Sequence, residues 1–157
     1  MEDLLWLLWY NRVMDSFYIL LAFFFGWLVA QVTKVILVLI FKRGKVSLRE
    51  LIELLMRSGG MPSSHTACFT AATLTIGFRC GFDSALFALA ICNTAIIIYD
   101  ATNVRYAVGQ QGKLLNKIAK NTEAGKPLKL VEGHTVIQTI VGFMIGVIVA
   151  LVIESIK

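Results

Sequence analysis

The feature that most constrains this chain is an apolar run of 26 residues, from Ser16 to Phe41, interrupted only by Gln31, Thr33 and Lys34. A helix of that length covers the hydrocarbon core of a bilayer, about 30 Å thick, with some tilt. The whole chain agrees, because 57% of its 157 residues are hydrophobic and 16% are charged. A soluble domain has about 25% charged residues. The chain is therefore predicted to be one integral membrane unit.

Further apolar stretches predict an all-α, polytopic bundle of about four transmembrane helices. Residues 135–153 form a second clear span, and residues 84–98 form another that extends at both ends. The thirteen residues after His65 reach only about 20 Å, so their helix must include the residues up to His65 or begin below the membrane surface. The predicted spans are approximately residues 16–41, 62–80, 83–104 and 134–154, within a single domain of residues 1–157.

The basic residues predict the orientation of these spans in a cell membrane. With four spans, one side of the membrane carries Lys42, Arg43, Lys45, Arg49, Arg57, Arg105, Lys113, Lys117, Lys120, Lys126 and Lys129. The other side carries only Arg12, Arg79 and Lys157. Because short cytoplasmic segments are rich in lysine and arginine, the first side is predicted to be cytoplasmic.

Two connecting segments, residues 47–57 and 110–120, are predicted to be short helices on the membrane surface. In the second segment Lys113, Lys117 and Lys120 share one face, opposite a leucine and isoleucine face. That pattern suits an anionic leaflet, although a solvated basic helix is the alternative. We expect a membrane, and no nucleic acid, as the partner of these charges.

The three cysteines do not indicate a disulfide framework or a zinc site. Cys68, Cys80 and Cys92 are spaced twelve residues apart within apolar stretches and form no C-x-x-C pair. They are predicted to be buried, reduced thiols. We expect neither a metal ion nor another cofactor.

The string Gly-Gly-Met-Pro-Ser-Ser-His, which ends at His65, predicts an anion site where a loop becomes a membrane helix. Glycines allow the backbone to approach a ligand, proline fixes φ near the first turn, and Ser63 or Ser64 can cap the helix. The N-terminus of a helix attracts anions through its free N–H groups and its dipole. The simpler interpretation is a capped helix with a histidine at the membrane interface.

A second histidine changes the balance between these interpretations. His134 precedes the last span as part of Gly-His-Thr, so two histidines stand at two helix N-termini on one side of the membrane. Helix dipoles disfavour the protonated ring there, which keeps one histidine available as a nucleophile, while a bound phosphate would restore the proton on the other. Arg57 and Arg105 lie on the same side and suit phosphate oxygens, although positive-inside decoration would also explain each of them.

The positive-inside rule does not readily explain Lys34, since Lys34 lies within the first span, eight residues before Lys42. A charged side chain within a membrane is costly and normally faces a pocket or a partner. Its partner is predicted to be either Asp100 or the phosphate of a ligand, and Gln31 would line the same cavity one turn away.

Taken together, these pieces resemble a known superfamily. Pro-Ser-Ser-His at residues 62–65 resembles the Pro-Ser-Gly-His motif of the type 2 phosphatidic acid phosphatase and vanadium haloperoxidase superfamily. The longer Gly-Gly-Met-Pro-Ser-Ser-His-Thr-Ala string, with Gln31-x-x-Lys34, Asp100-x-x-x-Val-Arg105 and Gly-His134-Thr, is similar to its divergent membrane branch, called acid phosphatase/vanadium-dependent haloperoxidase-related. The resemblance extends from about Gln31 to Gly146.

The resemblance implies a helical bundle that hydrolyses a phosphomonoester through a phosphohistidine, without a metal. His134 would be the nucleophile and His65 the general acid. The implied phosphate-binding residues are Lys34, Arg57, Arg105, Gly60, Ser63 and Ser64, with Gln31, Asp100 and Gln138 supporting them. The implied substrate is a phospholipid or isoprenoid-type lipid phosphate, or a small phosphomonoester, at the cytoplasmic face.

Two positions depart from the parent pattern. The superfamily has an arginine six residues before the nucleophilic histidine and an aspartate four residues after it, where this chain has Leu128 and Gln138. A carboxylate behind a histidine orients the ring and stabilises its positive form, whereas an amide can only orient it. A catalytically weak or inactive protein that binds phosphate or anionic lipid is therefore the alternative function. Lipid-phosphate transport and vanadate-dependent peroxidase chemistry are less favoured alternatives.

The last span contains Gly142-x-x-x-Gly146, a pattern that permits close contact between helices. The contact would lie either within the bundle or between two copies in a homodimer.

Overall fold

The computed structural model describes residues 2–42, 47, 52, 60–119 and 133–156. Its main helices are α1 (Glu2–Phe41), α2 (Ser64–Cys80), α3 (Ala85–Tyr99), α4 (Arg105–Ala119) and α5 (Val136–Ser155). A π-helical turn, Asp100–Val104, joins α3 to α4 without a break. The residues described contain no strand, which confirms the predicted all-α class.

Among the residues described, three helical segments are long and apolar enough to cross a membrane: Arg12–Phe41, Ala85–Ala119 and Val136–Ser155. The chain is thus an all-α membrane bundle. The first helix begins at Glu2, well before the predicted start of its span. The π turn keeps the segment at residues 110–120 continuous with the preceding span as far as Ala119, whereas the sequence predicted a separate surface helix there. The other predicted surface helix, residues 47–57, lies almost wholly outside the described residues.

The inner helix is α2, which has 17 residues and a length of about 25 Å. It packs against α1, α3 and α5. Ten of its residues are buried, nearly all of them small: Ser64, Thr66, Ala67, Cys68, Thr70, Ala71, Ala72, Thr73, Thr75 and Gly77. Because its neighbours shield it from lipid, α2 can be shorter and more polar than they are.

Glycines on the flanking helices permit this close packing. A Cβ atom at Gly26 of α1 would lie 2.8 Å from the Cα of Cys68, and one at Gly146 of α5 would lie 2.6 Å from the carbonyl oxygen of Ala67. Gly142 likewise lies against Ser63. The Gly142-x-x-x-Gly146 contact is therefore made within the chain. Since α2 covers both glycines, the homodimer predicted through them would need a different surface.

One buried ion cluster ties three helices together at the end of the bundle where α2 finishes. The Arg79 side chain is 6% exposed and donates to Glu154 of α5 at 2.8 Å and to Asp15 of α1 at 3.4 Å. Its guanidinium carbon lies 3.6 Å from the ring centre of Tyr18. Breaking a buried pair of this kind typically costs about 3–5 kcal/mol. We call this end of the bundle the far end. The ion cluster joins the C-terminal ends of α2 and α5 to the first half of α1, so α1 runs antiparallel to both.

The prediction of three buried thiols is correct for Cys68 and wrong for Cys80 and Cys92, which are exposed. Cys92 lies on α3, which has no buried residue because it packs at the edge of the bundle. Cys80 is the final residue of α2, where the helix emerges from its neighbours.

Candidate functional site

The site begins at the N-terminus of α2, at the end of the bundle opposite Arg79. Ser63 caps this helix, and its side-chain oxygen accepts hydrogen bonds from the Thr66 amide and the Thr66 hydroxyl. Helix α2 starts at Ser64, so the proline of the motif precedes the cap instead of occupying the first turn. By position, the N–H groups of Ser64 and His65 have no carbonyl partner within the helix. They are therefore suited to contact an anion.

The N-terminus of α5 forms the second part of the site. Thr135 caps the helix and makes a capping box with Gln138, in which each side chain accepts from the other residue's backbone N–H. The same Gln138 oxygen lies 3.4 Å from Nδ1 of His134. Because that oxygen can only accept, a hydrogen bond to it requires the ring proton on Nδ1, which places the lone pair on Nε2. Gln138 thus favours the tautomer in which Nε2, and not Nδ1, can act as a nucleophile.

The π turn at residues 100–104 positions His134. In an α-helix the Arg105 N–H would bond to the carbonyl of Ala101, but in this turn it bonds to Asp100 instead. The freed Ala101 carbonyl accepts the backbone N–H of His134 at 2.9 Å. Gly133 makes this approach possible, since a Cβ there would lie 2.6 Å from the carbonyl carbon of Arg105. The turn therefore has a function, as π-bulges often do.

A second backbone hydrogen bond joins the two histidine-bearing helix ends. The Ser63 N–H donates to the carbonyl of Gln138 at 3.0 Å. With the bond to Ala101, the starts of α2 and α5 and the end of α3 are held by main-chain contacts. The relative positions of the histidines consequently depend on rigid elements and not on flexible loops.

Lys34 projects into this end of the bundle from α1. Its side chain is 2% exposed, and Gln31, one turn away, is also buried. The aliphatic part of Lys34 passes Gly60, whose φ of +84° is readily accessible only to glycine. A side chain at Gly60 would be strained and would also meet Lys34.

Arg105 and Asp100 form an ion pair with a separation of 2.5 Å between Nε and Oδ2. Both side chains are more than one third exposed, so the pair contributes about 0–1 kcal/mol. Asp100 therefore pairs with Arg105, whereas one of the two predictions made it the partner of Lys34. Arg105 could therefore exchange the Asp100 carboxylate for a phosphate with only a small loss of free energy.

A cavity of about 80 Å³ lies between these helix ends. Its lining residues are His65, Phe69, Ile97, Asp100, Ala101, Arg105 and His134. A water molecule occupies about 30 Å³ in the liquid, so the cavity has room for a group of a few heavy atoms such as phosphate. It offers two imidazole rings and a guanidinium group to that ligand.

The sequence-predicted site residues therefore fall into distinct positions. His65, His134, Arg105 and Asp100 line the cavity. The other described members of the predicted set are not among its lining residues: Ser63, Ser64, Gly60, Lys34, Gln31 and Gln138. Arg57 lies outside the described residues. Sequence reasoning missed the Ala101 carbonyl, Phe69 and Ile97, because neither a π turn nor an apolar cavity wall has a local sequence signal. Within the described ranges, no cluster of three or more histidine, cysteine or acidic residues could hold a metal ion.

Residues 16–149 match the Divergent PAP2 family, which is most of the chain. The chain belongs to the Divergent PAP2 family. The resemblance seen in the sequence motifs is thereby confirmed. A relative from Bacillus subtilis (strain 168), the uncharacterized membrane protein YuiD, is 34% identical over 116 residues, which cover 64% of this chain and 73% of the relative. No solved structure matches the chain significantly.

His134 in this Divergent PAP2 protein lies just before the α5 span and is 4% exposed. Burial lowers the pKa of its imidazole below the ordinary 6.5. Hydrogen bonds to Gln138 and to the Gly60 backbone oppose that shift, while the positive charge of Lys34 and the nearby His65 add to it. The ring is consequently neutral at neutral pH, which is the state of a nucleophile.

The Gln138→Glu substitution is expected to raise the pKa of His134. Glutamate suits a capping box as well as glutamine does, so the cap and the contact with Nδ1 are retained while a negative charge is added. Activity that needs neutral His134 falls as the pH drops through this pKa, so the acid limb of a pH–rate profile should move to higher pH. Gln138→Leu removes the opposing hydrogen bond and should move the limb to lower pH. A limb at the same pH in both variants would contradict this role.

Proposed function

We propose that this Divergent PAP2 protein is a membrane-embedded phosphatase that hydrolyses a lipid phosphate or small phosphomonoester through a phosphohistidine. The observation that carries the proposal is the shared cavity of His65 and His134, with Nδ1 of His134 beside the accepting oxygen of Gln138. Membership of the family supports a phosphatase-like ancestry. The basic residues that flank this end of the bundle support a cytoplasmic location for the site.

The proposed reaction has two balanced steps. Nε2 of His134 attacks phosphorus, a P–N bond forms, the ester P–O bond breaks, and His65 gives its proton to the leaving oxygen. Water then attacks the phosphohistidine while His65 takes a proton from it, and the P–N bond breaks. Inorganic phosphate and an alcohol are the products, and both histidines return to their starting states.

The cations act on the phosphoryl oxygens in both steps. Lys34 is already held inside the bundle, so its charge needs no reorganisation when the phosphate arrives. Arg105 would exchange Asp100 for the substrate at the mouth of the cavity. Arg57 is proposed as a further phosphate ligand from its place just before the glycine-rich string. The N–H groups at the start of α2 complete the set.

Binding without hydrolysis is the second candidate function. It is favoured by one observation, the amide of Gln138 in the position where the parent superfamily has a carboxylate. An amide orients the ring but does not stabilise the imidazolium-like charge of the transition state. Under this function the same cavity would hold the headgroup of an anionic lipid.

Phosphate release distinguishes the two functions. The purified full-length protein, in lipid nanodiscs, would be given phosphatidic acid, a prenyl monophosphate and glycerol 3-phosphate in parallel. The proposal predicts release of inorganic phosphate from at least one of them, inhibited by orthovanadate. Release no faster than from empty nanodiscs, with vanadate-competed binding of phosphatidic acid retained, would establish binding without hydrolysis.

A further inference from the structure

Helix α3 presents most of its surface to its surroundings. None of its 15 residues is buried, whereas six residues of α5 are. It packs on α2 along one side, where the hydroxyl oxygens of Thr73 and Thr94 lie 2.8 Å apart. The other sides of α3 are therefore open to lipid or to another protein.

Four exposed residues form a line along one open side of this helix, which we call the α3 stripe: Leu86, Leu89, Asn93 and Ile96. They are spaced three, four and three residues apart, which is the heptad spacing by which one helix packs along another. Leu86, Leu89 and Asn93 also line a groove of about 210 Å³ between α1, α2 and α3. The stripe thus borders a recess into which side chains of a facing helix can insert.

Asn93 is the residue that indicates what covers the stripe. It is an exposed amide near the middle of a helix that is apolar enough to cross the membrane, where unsatisfied polar groups are costly. Its Nδ2 donates to the Leu89 carbonyl at 3.1 Å. Within the part of the chain that the structure describes, its other N–H and its Oδ1 atom have no partner. An acyl chain has neither a donor nor an acceptor, so lipid alone cannot satisfy this amide.

A second copy of this chain offers matching groups at the matching depth. The concentration of lysine and arginine on one side of the membrane favours a single orientation for all copies, so two α3 helices would meet in parallel. Two-fold symmetry then places identical residues opposite each other. Because an amide is both a donor and an acceptor, two Asn93 side chains can hydrogen-bond to each other. A single asparagine in a heptad line also fixes the register and the number of helices.

We propose that the α3 stripe is a homodimer interface, on which a second copy packs its own α3 in parallel and pairs its Asn93 with Asn93 of the first copy. This surface is separate from the Gly142 and Gly146 face of α5, which α2 covers. None of the four stripe residues lines the cavity beside the two histidines. The inference therefore does not depend on the proposed phosphatase function.

The first test measures dimerisation of the full-length protein in phosphatidylcholine liposomes. Copies labelled at the C-terminus with donor or acceptor dyes are mixed, and energy transfer is followed as the protein is diluted with lipid. Asn93→Leu, which keeps the side-chain size, should weaken dimerisation about tenfold through loss of the hydrogen bonds between helices. Asn93→Gln keeps an amide and should dimerise nearly as well as the wild type. A wild type that is monomeric at every dilution, or an Asn93→Leu variant that dimerises as the wild type does, would overturn the proposal.

A disulfide test locates the interface on α3. In a background with the exposed thiols removed by Cys80→Ala and Cys92→Ala, either Leu89→Cys or Ile96→Cys should give a covalent dimer on oxidation, since facing positions of paired helices lie near disulfide distance. Ile91→Cys is the matched control, because Ile91 is exposed but points about 160–180° away from these positions or their centre line on the helix. It should stay monomeric. Equal cross-linking at all three positions, or cross-linking at none, would contradict the interface.

Discussion

Replacing His134 with alanine is expected to reduce phosphate release by at least about 10³-fold, because removal of a nucleophile eliminates the covalent route. The loss should persist with every substrate, including those with activated leaving groups. The measurement is phosphate release by protein in nanodiscs, with folding checked by thermal denaturation. His134 makes its structural hydrogen bond through the backbone N–H, which alanine retains.

His65→Ala is the matched control for this prediction. A general acid is needed only when the leaving group is a poor one, so an aryl phosphate should be cleaved far better than an alkyl phosphate by this variant. Water activation in the second step also depends on His65, and a phosphohistidine should therefore accumulate. Equal losses of activity in His134→Ala and His65→Ala, with aryl and alkyl phosphates alike, would contradict the assignment of His134 as nucleophile and His65 as general acid.

Lys34→Met is expected to lower kcat/KM by about 10²–10³-fold, which is typical of the loss of one charged or hydrogen-bonding group that stabilises a transition state. The thermal stability of the same variant should be unchanged or higher. Replacing a buried charge by an apolar side chain of similar length removes a desolvation cost. Lower activity with unchanged or higher thermal stability is the result expected when a residue serves binding and not folding.

Lys42→Met provides the comparison, since Lys42 is exposed just beyond the end of α1. It should retain near-wild-type kcat/KM. If Lys34→Met instead unfolded the protein while Lys42→Met did not, the ammonium group would be a structural element of the bundle. If both variants kept full activity, Lys34 would have no part in binding phosphate.

The membrane class of this protein could be predicted because it depends on local composition. Apolar runs such as residues 16–41 are costly to expose to water, and their length matches the bilayer. The two histidines at helix N-termini were predictable for a similar reason, since Ser63 and Thr135 are strong capping residues directly beside them. These signals lie within a few residues of the feature that they predict.

The contacts that assemble the site could not be predicted in this way. The bond from His134 to Ala101 depends on a π turn, which differs from an α-helical turn by one shifted hydrogen bond and has no composition of its own. Asp100 pairs with Arg105, five residues further along the same continuous helical segment, whereas one of the two predictions paired it with Lys34. The bond from His134 to Ala101 is a tertiary contact, which a single sequence leaves open.

The glycine pair in α5 illustrates the same limit. A small-x-x-x-small pattern indicates a close helix contact but does not name the partner helix. The sequence left an internal contact and a homodimer equally open, and the packing of Gly142 and Gly146 on α2 decides for the internal one.

The central claim is that His65 and His134 hold one phosphate between them. An experimental structure of the protein with orthovanadate, an analogue of the phosphoryl group in transfer, tests this claim most directly. We expect vanadate in the cavity, within bonding distance of Nε2 of His134, with His65 on the opposite side and Arg105 turned away from Asp100. Vanadate bound elsewhere, or the two imidazole rings too far apart to reach one ion, would contradict it.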